Sequence, residues 1–296
     1  MIAIIGAFGI DTNVFSGSEV YESSFSTNID YPGQAGNYCA HVASSLGLDV
    51  TAVAALGDDI AGDWVFNALV ERGVNVVRIT DPLGTKRSVN LMRSNGTRLS
   101  FYDGRGSMDL CPNPHDPQFA SIYSAQYVHL NIVNWSRYFI KPLKEAGIPI
   151  SVDLQDVTSL GDEYRMDYVK DADVIFFSAV NQCDINEFIK GYRVQNPSAI
   201  IIVGKGADGA RVVSTNEDIS LPAVSGAPIL DTTGAGDSLA MGFLRSYFID
   251  GYSLKDSLLR GQITARHTCT VKSSIEGLIS KQELEKRYIQ IKENSP

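Results

Sequence analysis

Asp231-Thr232-Thr233-Gly234-Ala235-Gly236-Asp237, continued by Ser238-Leu239-Ala240-Met241-Gly242-Phe243-Leu244, is the stretch around which the chain can be read. Beyond Asp237 the apolar positions recur at helical spacing as far as Phe248, and Gly251 suits a C′ cap, which predicts a turn feeding a helix. Asp237 then stands at the helix N-terminus. Small residues at 234–236 let successive backbone N–H groups converge, and the helix dipole adds partial positive charge at the same point. A phosphate fits such a pocket, whereas a carboxylate on its rim repels that phosphate unless the carboxylate has work of its own. The work that fits is taking a proton from an attacking hydroxyl. The alternative is that Asp237 only caps the helix and the glycines only make a tight connection.

The heptapeptide resembles the C-terminal signature of the PfkB, or ribokinase-like, carbohydrate kinases. The resemblance implies a three-layer α/β/α fold with a mostly parallel central sheet and a small β-sheet lid. It implies ATP-dependent phosphorylation of a hydroxyl on a sugar or sugar derivative. Asp237 would be the base and the amides of Gly234, Ala235 and Gly236 the anion hole. ATP and Mg2+ are the implied cofactors. In relatives, backbone near Asp231 and Thr233, with the loop Ser273-Ser274-Ile275-Glu276-Gly277, can also hold a monovalent cation such as K+. A nucleoside kinase of the same fold, with Tyr21, Phe25 or Phe101 stacking on a base, and a non-catalytic binding protein are the competing readings.

A chain of 296 residues can bury a substantial core, as one large α/β domain with insertions or as two small ones; the resemblance implies a single kinase domain over 1–296. The net charge of −9 argues against a nucleic-acid footprint or a polybasic membrane surface. Cys39, Cys111, Cys183 and Cys269 are widely spaced, with no Cys-x-x-Cys pair, so the reading is buried thiols in a cytoplasmic, reducing setting. Ile2-Ala3-Ile4-Ile5 lacks a preceding basic region and reads as a strand rather than a signal peptide.

That strand leads into a loop carrying Asp11, which reads as a turn residue or a substrate contact; the resemblance favours a contact to sugar hydroxyls. Tyr31-Pro32-Gly33-Gln34-Ala35-Gly36-Asn37 precedes a helical run and resembles the family's Gly-Gly-x-x-x-Asn element, with Gln34 in place of the second glycine. Gly33 and Asn37 become the expected sugar contacts, Asn37 doubling as a possible N-cap. Tyr38 stands where an ungapped register expects asparagine. Gly57-Asp58-Asp59 resembles a family hallmark and is assigned no chemistry. Arg87 to Met92 and Arg98 to Tyr102 alternate around Asn95-Gly96, a hairpin signal. By resemblance, segments 13–31 and 84–106 form the lid, which in relatives pairs across a homodimer. Arg105 either meets an anionic substrate or is solvated.

From Tyr127 onward, apolar strands alternate with helical stretches, which argues for a parallel sheet with ligands at the strands' C-terminal ends. Asp153 ends one such strand, and Ser178 and Asn181 follow another. The resemblance makes Ser178 and Asn181 part of the nucleotide side, with Asp153 and Asp184 as metal candidates acting through water. Gly204-Lys205-Gly206-Ala207-Asp208-Gly209 spells a dinucleotide fingerprint, but a strand follows it where that fingerprint requires a helix. A glycine-rich β-turn-β remains, resembling the family's ATP segment, with Lys205, Gly206 and Gly209 as nucleotide contacts. A P-loop is excluded.

Overall fold

Apolar runs that alternate with helical stretches build two sheets of different size. The computed structural model describes residues 1–16, 25–93, 98–157, 159–179, 184–271 and 275–294. Its strands are β1 (Ile2–Gly6), β2 (Gly9–Ser16), β3 (Ser26–Gly33), β4 (Val50–Leu56), β5 (Asn75–Thr80), β6 (Lys86–Met92), β7 (Arg98–Asp103), β8 (Val128–Asn131), β9 (Ile150–Asp156), β10 (Val174–Ser178), β11 (Ile200–Gly204), β12 (Ala210–Val213) and β13 (Asp218–Leu221). Nine of them form the large sheet in the order β13-β12-β11-β10-β9-β8-β1-β4-β5. The run from β5 to β11 is parallel, and β12 and β13 add an antiparallel edge.

The helices are α1 (Ala35–Ser45), α2 (Ile60–Glu71), α3 (Ile140–Glu145), α4 (Glu163–Val169), α5 (Ile185–Gln195), α6 (Ala235–Leu244), α7 (Leu254–Thr268) and α8 (Lys281–Glu293). They cover both faces of the large sheet. Along β1 the fully buried side chains divide: Ile2 and Ile4 join Val65, Leu239, Phe243 and Leu258, while Ala3 and Ile5 join Trp135, Phe139, Tyr168 and Tyr192. Period-2 alternation in a strand buried on both sides yields this division and hence the three layers.

The remaining strands form the smaller sheet, in the order β3-β2-β6-β7. Its strands run beyond the expected 13–31 segment at both ends, from Gly9 to Gly33, so Asp11 belongs to a strand and not to a loop. Parallel pairing of β2 with β6 sets Asp11 beside Ser88 and Asn13 beside Asn90. The Asn95-Gly96 turn and Tyr21 lie outside the described residues.

Candidate active site

The signature enters α6 through Gly234, whose φ of 72° is left-handed and suits glycine. Thr233 N–H donates to Asp231 Oδ1 at 2.8 Å and fixes the turn, while Ala235 N–H donates to the Thr232 carbonyl at 3.2 Å. Among the described residues no group takes the N–H of Gly234 or Gly236. A Cβ added to Gly236 would meet nothing within 4 Å, and its φ is not positive. Neither packing nor backbone conformation therefore requires glycine there. What the missing side chain leaves is open space over a helix N-terminus, the form of a phosphate cradle.

Asp237 sits in the first turn of α6, partly exposed. Burial pushes its carboxyl up to about 8, and the neighbouring charge of Asp153 adds to the effect. The Cys39 thiol, 3.5 Å from Asp237 Oδ1, and the cation of Arg98 oppose it. Asp153 lies within β9 rather than at its end; burial raises its carboxyl to about 6 although Gln155 N–H donates to it at 2.8 Å.

Beneath these carboxylates lies a polar network that no motif spacing announced. Asn131 Nδ2 is 3.9 Å from Cys39 Sγ and 3.4 Å from His129 Nε2, and His129 Nδ1 is 2.9 Å from Ser151 Oγ. Burial lowers His129 to about 3, so the ring is neutral at ordinary pH. Gly6 makes room for the network, since a Cβ there would lie 2.4 Å from Asn131 Oδ1.

On the small sheet, the buried carboxylate of Asp11 accepts from Gln34 N–H at 3.2 Å, from Gln34 Nε2 at 2.6 Å, and from the hydroxyls of Tyr38 and Ser88. Gln34 and Tyr38, the positions that depart from the family's pattern, are thus the ones that Asp11 holds. Gln34 has φ 74° and ψ 156°, a conformation that strains a residue with a side chain and persists only when its surroundings over-determine it. Gly33 is needed beside it, because a Cβ would lie 2.5 Å from Asp11 Cγ. Gln34, not Asn37, occupies the N-cap of α1. Asn37 is fully buried with both amide atoms unpartnered among the described residues, and so is the buried Tyr31 hydroxyl.

Further along the same face, Ser100 Oγ donates to Asn90 Oδ1 (2.7 Å), Asn90 Nδ2 to Asn13 Oδ1 (2.9 Å) and Asn13 Nδ2 to Asp231 Oδ2 (3.3 Å). Arg98 Nη1 donates to Thr233 Oγ1 at 3.3 Å. The small sheet therefore rests on the signature turn. Arg105 is elsewhere, paired with Asp103 at 3.3 Å on the surface. Phe25 and Phe101 are exposed, and Phe101 alternates onto the outer face, away from Ser88 and Ser100.

Ser178 ends β10 in register with Gly204. Lys205, Gly206 and Gly209 form the link from β11 to β12, closed by Lys205 N–H to the Gly209 carbonyl at 2.8 Å. Gly209, at φ 90°, is required by packing, since a Cβ would lie 2.1 Å from the Leu221 carbonyl oxygen. Asn181 lies outside the described residues. Asp184 is the N-cap of α5, accepting from the N–H groups of Asn186 and Glu187 at 2.9 and 3.2 Å. Among the described residues no three His, Cys, Asp or Glu side chains gather as a metal cluster.

A family model described as pfkB family carbohydrate kinase matches residues 167–281. The acarbose 7(IV)-phosphotransferase of Actinoplanes sp. is 27% identical over 290 residues, covering 96% of each chain. The ATP-dependent ribose-1-phosphate kinase of Halopiger xanaduensis is 28% identical over 224 residues, 73% of this chain and 74% of that one. Among solved structures, a microbiome-derived acarbose kinase superposes with a TM-score of 0.89 at 27% identity, over 97% of this chain and 98% of the other. Arabidopsis thaliana ribokinase complexed with ribose and ATP superposes at 0.81 and 19% identity, over 97% and 98%, and speaks to the fold alone. Residues 167–281 thus match the pfkB carbohydrate kinase family, and nearly the whole chain is similar in sequence and fold to an acarbose phosphotransferase and an acarbose kinase.

Proposed function

We propose that the protein transfers the γ-phosphoryl group of ATP to a hydroxyl of a sugar or sugar derivative, with Asp237 as general base. The observation that carries this reading is a carboxylate of raised proton affinity beside the Gly234 and Gly236 N–H groups, which no described residue takes, with open space over Gly236. The acceptor oxygen attacks the γ-phosphorus as its proton passes to an Asp237 oxygen, and a base with an apparent pKa near working pH suits that transfer. The amides of Gly234 and Gly236, with that of Ala235 shared with Thr232, offset charge on the phosphoryl oxygens.

Mg2+ fits a donor set of this kind, because it is commonly held by one or two carboxylates together with substrate phosphates. Asp153, whose charge acts on Asp237, would hold the ion through water, and the ion would neutralise phosphate charge; the Asp184 carboxylate is occupied as a cap. Ser178, Lys205 and Gly206 flank the nucleotide side. On the sugar side, the unpartnered Asn37 amide and Tyr31 hydroxyl are satisfied by substrate hydroxyls, with Gln34 and Tyr38 shaping the pocket around Asp11. The part of the monovalent-cation loop at Ser273 and Ser274 lies outside the described residues. A second copy of the chain is the proposed partner of the small sheet's outer face, where Val89, Leu99 and Phe101 are 39%, 49% and 57% exposed. Light scattering on the purified chain tests that pairing.

The function is tested by ATP consumption against acarbose, ribose 1-phosphate, ribose, fructose, a fructosamine and adenosine. The expected result is turnover with a sugar derivative. Turnover with adenosine alone would transfer the assignment to nucleosides, and no turnover beyond background ATP hydrolysis with any of them would contradict the sugar-kinase reading.

A further inference from the structure

Two side chains of the small sheet reach the signature turn, Asn13 to Asp231 and Arg98 to Thr233. Asn13 ends a chain of neutral groups in which each donor has its acceptor, so its position is explained by the network that holds it. Arg98 differs. A guanidinium presents five N–H donors in a planar fork that matches two oxygens of one oxyanion. Among the described residues Arg98 makes a single long hydrogen bond, to a neutral hydroxyl, and no ion pair. It nevertheless meets the signature at Thr233, one residue before Gly234, where no described residue takes the Gly234 or Gly236 N–H and open space lies over Gly236.

We propose that Arg98 is a phosphoryl-binding residue: carried by β7 onto the signature turn, its guanidinium completes the anion cradle begun by the Gly234 and Gly236 amides. The proposal rests on the kinase reading above. In the transfer, the acceptor oxygen forms its bond to the γ-phosphorus. The bond from that phosphorus to the β–γ bridging oxygen breaks, its electron pair staying on ADP, and the hydroxyl proton goes to Asp237. Arg98 exchanges no atom or proton. It offsets the negative charge that the equatorial oxygens carry through the transition state, where a positioned arginine acts most strongly. The cleft needs such a cation, because Asp153, Asp231 and Asp237 all add negative charge around the incoming phosphates.

The origin of Arg98 gives it a second consequence. β7 pairs with β6, whose Ser88 hydroxyl holds the Asp11 carboxylate, so the sheet that shapes the sugar pocket also delivers the cation. Phosphoryl stabilisation is then complete only while that sheet rests on the signature, which favours transfer to the sugar over transfer to water.

The test titrates wild type, Arg98→Lys and Arg98→Ala with Mg-ADP alone and with Mg-ADP plus aluminium fluoride, which mimics the phosphoryl group in flight. Thermal melts confirm that each variant is folded. Wild type should bind the aluminium fluoride complex more than about tenfold tighter than ADP. Arg98→Ala should lose that gain while its ADP affinity stays near wild type. Arg98→Lys should keep part of it, having the charge but not the fork. Added guanidinium ion should restore the gain to Arg98→Ala, which a purely structural strut would not allow. A folded Arg98→Ala that retains the full gain would overturn the proposal and leave the kinase reading standing. A wild type with no gain would count against both.

Discussion

The two sheets differ in how far polar side chains take over their buried positions. In the large sheet every residue of β1 and β4 is buried, and most are Ile, Val, Ala or Leu. In the small sheet polar Asp11, Asn13, Lys86, Ser88 and Asn90 are buried beside apolar Ile10, Tyr31 and Met92, while Val89, Leu99 and Phe101 face outward. Buried polar groups stabilise nothing unless they are hydrogen-bonded, so a sheet chosen for stability would have the reverse pattern. Most of these groups bond to one another and to the signature, but the Lys86 ammonium has no hydrogen-bond partner among the described residues, and burial lowers it to about 8. The large sheet is a scaffold selected by packing. The small one carries a polar inner surface, at some expense in stability, as the proposed sugar site requires.

The largest expected difference is in stability. Leu130→Ala, in the fully buried β8, should cost roughly 2–5 kcal/mol in denaturant unfolding and leave turnover per folded molecule unchanged. A cost below about 1 kcal/mol would mean that the scaffold relaxes into the cavity, against the packing argument. Gly236→Ala should behave in the opposite way. Alanine is the better helix former by up to about 1 kcal/mol and has room for its Cβ, yet a methyl group in the phosphate cradle should lower kcat by roughly 10–100-fold. Unchanged kcat would show that the space over Gly236 is not used.

The acid limb of kcat/KM should have its midpoint near 8, the value of the free Asp237 carboxyl, because the base works only when ionised. Removing the neighbouring charge in Asp153→Asn should move that limb to lower pH. Movement upward, or none, would separate the two carboxylates. The same shift has a stability consequence. A carboxyl raised in the folded state contributes stability below its unfolded value of 3.8 and loses it as pH rises towards 8. Asp237→Asn cannot ionise, so it should melt above wild type at pH 8 and close to it at pH 4. The smallest effect belongs to Asp184→Ala. Loss of this cap should cost about 1 kcal/mol without changing Mg-ADP affinity, and a tenfold weaker affinity would return Asp184 to the metal site.

The helix after Asp237, the parallel sheet and the β-turn-β at Gly204 were legible because each rests on local periodicity or on glycine placement. The ends of β2 and β3 were not, since buried Asp11 and Asn13 interrupt the apolar alternation that marks a strand. Asp11 was legible as a functional candidate, but its partners were hidden in apparent defects: Gln34 and Tyr38 read as departures from a pattern until the fold brings them onto its carboxylate. Arg98 was beyond reach for a similar reason, because its partner Thr233 is 135 residues away and no spacing rule connects them. The His129–Asn131–Cys39 network is likewise assembled from separate strands and a helix, from residue types that more often just fill a core.

The most direct test of the account is phosphoryl transfer by Asp237→Asn, measured alongside ATP titration and a thermal melt. Asparagine keeps the shape and capping capacity of aspartate but cannot accept the hydroxyl proton. The account predicts a folded variant that binds ATP normally and turns over roughly 10²–10⁴-fold more slowly. Turnover near that of wild type would contradict it and leave Asp237 as no more than the first-turn carboxylate of α6.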